Sequence, residues 1–162
     1  MSNSPGFPLV AKNGTHLKRL RITEDLLPDV QETWKLYGAG SVGSQALAGI
    51  PYLYRLRRHV ALASVSRVWP FETGFTPMPV SKVGPCVVHA EIWPGIVNKA
   101  VAKIANNETE AIWDKIQVRE MCKWAADLDH DNGLGEKFDT PPSLDRTEIE
   151  SCIQHEGWIL GA

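Results

Sequence analysis

No apolar run in this 162-residue chain approaches the roughly 18 residues that cross a bilayer, and the N-terminus has neither the basic start nor the apolar centre of a secretory signal. Those two absences predict a cytoplasmic protein with no membrane partner. Cysteine is scarce as well. Cys86, Cys122 and Cys152 are odd in number and far apart, so neither a disulfide framework nor a zinc ribbon is expected, and buried free thiols in a reducing compartment are. Excess charge of one sign is also missing: 17 Lys and Arg oppose 19 Asp and Glu, for a net charge of −2. The domain as a whole therefore exerts no pull on nucleic acid or anionic lipid, and any such binding needs a local patch. Internal repeats and low-complexity tracts are absent.

What is present is ordinary globular material, with 43% hydrophobic and 22% charged residues in 17.9 kDa. A chain of this size buries about 68–70% of its unfolded surface around one core. Residues 1–14 carry two prolines and two glycines with little periodic apolar character, and read as an extended lead-in. Residues 15–162 read as a single α/β domain.

Within it, residues 15–27 suggest a short amphipathic helix stopped by Pro28. A helix from Ser41 is expected to break at Gly49, Ile50 and Pro51, and to resume over residues 52–59 with Leu53 and Leu56 inward and Arg55, Arg57 and Arg58 mostly outward. Residues 66–71 and 85–93 are rich in β-branched and aromatic types, and read as strands. The apolar run from Cys86 to Ala90 predicts cover on both faces, as in a parallel sheet. Helices follow at residues 96–105, at 108–128 with a stripe of Ile112, Ile116, Met121 and Trp124, and at 144–155, with a short terminal strand at 157–160.

Gly38, Gly40 and Gly43 fit the spacing G-x-G-x-x-G, which in a dinucleotide turn follows a strand and precedes an acid about 20 residues on. Here QETWK is a poor buried strand, and the later interval holds Arg55, Arg57 and Arg58. These arginines leave an NADP-binding reading open, beside the plainer one in which the glycines make a turn and a close packing contact. Asp127, Asp129 and Asp131 resemble a calcium loop, but the glycine is one place late and Phe138 stands where the final glutamate belongs. The five histidines lack zinc spacing, and His89 on the second strand reads as a hydrogen-bonded core residue.

More informative are acids at the ends of elements. Glu72 follows the first strand, Glu91 lies near the end of the second, and Asp114 opens the long helix. Carboxylates converging from strand ends and a helix hold Mg²⁺ or Mn²⁺ for phosphodiester hydrolysis, and arginine clusters position the backbone. Each acid also has a plainer role as an exposed charge, and Asp114 as a helix N-terminal acid.

Taken together and in order, WKLYGAGSVGSQALAGIP, SRVWPFETGF, HAEIWP and EGWILG resemble a bacterial family of predicted RNase H-like nucleases often labelled as cobalamin-biosynthesis proteins. The likeness covers residues 15–161. It implies a partial RNase H-like α/β fold, a small mixed sheet flanked by helices that lacks the usual N-terminal strands and their aspartate. It also implies Glu72, Glu91 and Asp114 as catalytic metal ligands, Arg55, Arg57 and Arg58 as nucleic-acid contacts, and Mg²⁺ or Mn²⁺ as cofactor, in a site lapsed or completed by a partner. With so few strands, an unpaired edge is expected to be covered by a second copy or an N-terminal partner chain. The reading from another class is a non-catalytic interaction or assembly module in which the same acids are structural.

Overall fold

The computed structural model describes residues 18–38, 40–77, 84–106 and 112–162. The lead-in expected at residues 1–14 lies outside them, as do residues 78–83 of the loop between the strands and 108–111 at the start of the long helix. Among the described residues the chain forms five α-helices, α1 (Ile22–Leu26), α2 (Gly43–Arg57), α3 (Asn98–Ala105), α4 (Trp113–His130) and α5 (Arg146–Ser151), and two strands, β1 (Ser66–Val68) and β2 (Val87–His89).

The two strands pair in parallel, Ser66 with Val87 and Val68 with His89. Beyond β2, Glu91 bridges in parallel to Ile159, and the Leu160 N–H donates to the Glu91 carbonyl at 2.9 Å. The terminal strand expected at residues 157–160 is thus one bridge, and the sheet is parallel where a mixed one was expected. Neither is the strand at Cys86 to Ala90 covered on both faces, because Val87 is 38% exposed.

One core gathers Trp69, Cys152, Trp158 and Leu160, with Trp69 packed edge-to-face on Phe75 and Phe138 at centroid distances of 5.5 and 5.4 Å. The other joins α3 to α4 through Val97, Val101, Ile116 and Met121. Of the stripe anticipated on α4, Ile116 and Met121 are buried, whereas Ile112 sits at the N-cap, 65% exposed. Gly157 joins the last helical turn to the bridge segment at φ 72°, where a Cβ would stand 3.0 Å from the Phe71 ring. Only glycine takes that turn without strain.

α2 departs most from expectation. It runs unbroken through Pro51, although proline removes an N–H and crowds the carbonyl four residues back. That carbonyl belongs to Leu47, which is 64% exposed, so water can take the acceptor that the helix leaves unpaired. Leu56, expected inward, is 47% exposed, and Gly43 is the one buried residue of the fifteen.

Candidate metal centre

The glycine stretch follows no strand. Residues 31–37 are irregular, Gly38 and Gly40 take φ of 97° and 71°, and the Ser41 N–H closes a turn onto the Gly38 carbonyl at 3.1 Å. At Gly43 a Cβ would stand 2.8 Å from the Thr33 carbonyl oxygen, and its N–H donates to the Lys35 carbonyl at 2.9 Å. The three glycines provide two left-handed turn positions and one close backbone contact that seats the start of α2.

Glu72 and Arg57 face each other. Arg57 Nε donates to Glu72 Oε2 at 2.7 Å and Nη2 to Oε1 at 2.6 Å, a bidentate fork, while Nη1 reaches the Ala63 carbonyl at 2.9 Å. Glu72 Oε2 also accepts the backbone N–H of Val68 at 2.7 Å. The Arg57 hydrogen bonds hold the Glu72 carboxyl below its ordinary value against the opposing effect of burial, helped by the Val68 backbone bond and the charges of Arg57 and Arg67.

These bonds close the outer edge of β1. Val65 and Trp69 turn their backbone groups toward β2, through Val87 N–H to the Val65 carbonyl and Trp69 N–H to the His89 carbonyl. Ser66 and Val68 point the other way, and all four of their groups are taken. The Ser66 N–H donates to the Leu62 carbonyl and the Ser66 carbonyl accepts from Arg67 Nη1, while Glu72 serves Val68 through its side chain and its own N–H. The chain thus caps the outer edge of β1 internally, which is how natural sheets blunt an edge.

Glu91 is paired just as completely. Arg21 Nη1 and Nη2 donate to its two oxygens at 2.8 and 2.7 Å, Arg21 Nε donates to Glu24 Oε1 at 2.8 Å, and Nη1 also reaches the Glu156 carbonyl at 3.0 Å. Arg21 is 6% exposed and Glu24 2%, so this is a buried charge pair extended to the half-exposed Glu91. Glu24 Oε1 takes the Thr33 N–H at 3.0 Å and a short bond from the Thr33 hydroxyl, and the Ile22 N–H donates to Glu156 Oε2 at 2.7 Å. Burial alone would lower the Arg21 pKa, but the hydrogen bonds and charge of Glu91 and then Glu24 raise it, so the guanidinium stays charged. The cluster ties α1 to the end of β2 and to the C-terminal segment. In sequence Arg21 reads as part of a basic cluster with Lys18 and Arg19, a phosphate-tracking or solvated face, and the structure corrects this by burying it. Glu24 was missed, its spacing of three from Arg21 before a helix being the one local signal it carried.

Asp114 stands apart. It is exposed in the first turn of α4, the site of a helix N-terminal acid. Gln117, on the same helix, donates to Asn98 Oδ1 at 3.1 Å. Among the described residues no group of three His, Cys, Asp or Glu side chains is placed to hold a metal ion. Two of the three expected ligands spend both carboxylate oxygens on arginine, so the donor set does not fit a divalent ion as it stands.

Of the arginines expected at phosphates, Arg57 is committed to Glu72, Arg58 lies over the Tyr54 ring at 4.7 Å, and Arg55 is exposed. His89 Nε2 is 2.6 Å from the Ser66 hydroxyl, the hydrogen-bonded histidine the strand predicted, and Ser66 itself is fully buried. No helix among the described residues is long and apolar enough to cross a membrane. Compared with protein-family models, curated proteins and solved structures, the chain matches none.

Proposed function

We propose that the chain is a non-catalytic interaction or assembly module, with Glu72 and Glu91 acting as structural ion-pair partners. The observation that carries this reading is the full engagement of both carboxylates, Glu72 by Arg57 and Val68, and Glu91 by Arg21. A metal would have to displace a bidentate arginine at each, and Asp114 belongs to neither pair. We read the resemblance to RNase H-like nucleases as one of fold, with a lapsed phosphodiesterase site. A surface for partners is available in α2, a fifteen-residue helix with one buried residue. In a parallel α/β arrangement such a helix is ordinarily covered.

The test is titration calorimetry with Mg²⁺ and Mn²⁺, together with cleavage assays on single- and double-stranded nucleic acid. No saturable divalent binding and no turnover are expected. Divalent-dependent turnover that disappears in Asp114→Asn, a change that leaves both ion pairs intact, would overturn the reading.

A further inference from the structure

We propose that α2 is the contact surface for a second copy of this chain, paired antiparallel about a two-fold axis at Ile50. The inference deepens the interaction-module reading and rests on it. Leu47, Ile50 and Tyr54 are 64%, 61% and 57% exposed and stand three and four residues apart, which places them on one side of the helix. The stripe is centred on Ile50, which is also the midpoint of α2. A two-fold axis there brings Ile50 against its own copy, and Leu47 against Tyr54 of the second copy, so one stripe is complementary to itself. With the exposed stems of Pro51 and Arg58 the stripe presents on the order of 500 Å² per copy, so complete cover by a second copy would approach the lower limit of about 1,000 Å² for a specific interface.

Charge fixes the direction. Between Glu32 and Glu72 the sequence contains no acid, and its cations there are Lys35, Arg55, Arg57, Arg58 and Arg67. Glu72 takes Arg57 out of the stripe, which leaves Arg58 beside Tyr54 at one end. Parallel pairing would stack the two Arg58 charges. Antiparallel pairing separates them by about 24 Å along the helix, roughly three Debye lengths at physiological salt. Each Arg58 then lies level with Val42 of the other copy, at the uncharged start of α2.

The experiment is sedimentation velocity on the full chain over a range of micromolar concentrations. The wild type is expected to run at twice 17.9 kDa. Ile50→Glu and Ile50→Lys, at an exposed position, should each run as folded monomers by circular dichroism, and an equimolar mixture of the two should recover the dimer. Tyr52→Glu, on the opposite side of α2, should leave the dimer intact. A wild type that stays monomeric at the highest concentration overturns the proposal, as does a dimer that Ile50→Glu does not weaken. Such a monomer, if it also binds no divalent ion, leaves the interaction-module reading standing with a different partner. Metal-dependent turnover sinks that reading whatever the oligomeric state.

Discussion

Glu72 and Val68 close the outer edge of β1 by a reciprocal pair of bonds, Val68 N–H to the Glu72 carboxylate at 2.7 Å and Glu72 N–H to the Val68 carbonyl at 2.8 Å. The acid that resembles a metal ligand in sequence thus completes a strand. Replacing it by alanine removes the side-chain half of that closure and frees Arg57. Amide hydrogen exchange at Val68 should accelerate roughly tenfold in Glu72→Ala, and the variant should aggregate more readily on heating. Unchanged protection at Val68 would show that the carboxylate is dispensable there.

Arg21 carries a larger share of stability. Its removal leaves Glu24 charged and 2% exposed, with Glu91 and the Glu156 carbonyl unpaired. Arg21→Ala should cost about 3–5 kcal/mol, a large part of what a domain of this size has. Arg21→Lys should recover little of it, because one ammonium cannot span three acceptor groups set out for a planar fork. Urea unfolding of the two variants checks both values, and a loss below about 1 kcal/mol for Arg21→Ala would contradict the role given to the cluster.

Local signals are legible in this sequence, and tertiary ones are not. β1 and β2 fall inside the stretches whose β-branched residues announced them, and Ile116 and Met121 are buried as the helical period requires. The glycine turn was likewise legible, since the want of a preceding strand can be read from QETWK alone. Pro51 misled, because its cost depends on whether the Leu47 carbonyl reaches water, and that is a tertiary fact. The ion pairs could not be read either. Arg21 and Glu91 are 70 residues apart, and a carboxylate at a strand end looks the same in sequence whether it faces a metal or a guanidinium.

Two carboxyls set the acid limb of stability. Burial pushes Glu24 up, but hydrogen bonds from Thr33 and from the Arg21 backbone and guanidinium, with the Arg21 charge, leave it below its ordinary value of 4.5; Glu72 is lowered chiefly by Arg57. Groups with depressed folded values contribute fully above the unfolded value and lose that contribution as pH falls through the folded one. The urea midpoint should therefore decline as pH drops below about 4.5. Glu24→Gln, less stable at neutral pH, should decline less steeply, and an acid limb as steep as the wild type's would remove Glu24 from this role.

Thiol reactivity separates the cysteines. Burial, followed by the charges of Glu156 and Glu148, pushes the Cys152 thiol up to about 11, whereas Cys122 is exposed on α4. Ellman's reagent at pH 8 should label Cys122 promptly and Cys152 only after unfolding, since the thiolate is the nucleophile. Fast native labelling that persists in Cys122→Ser and maps to Cys152 would show that the Trp69 and Trp158 core opens.

The structural role of Glu72 and Glu91 is tested most directly by paramagnetic line broadening of backbone amides during a Mn²⁺ titration. With both carboxylates held by arginine, the amides of Val68, Glu72, Glu91 and Asp114 should broaden no more than those of other surface acids such as Glu150. Selective broadening shared by Glu72, Glu91 and Asp114 at low Mn²⁺ would mean that the three acids meet at one ion, and would contradict the account.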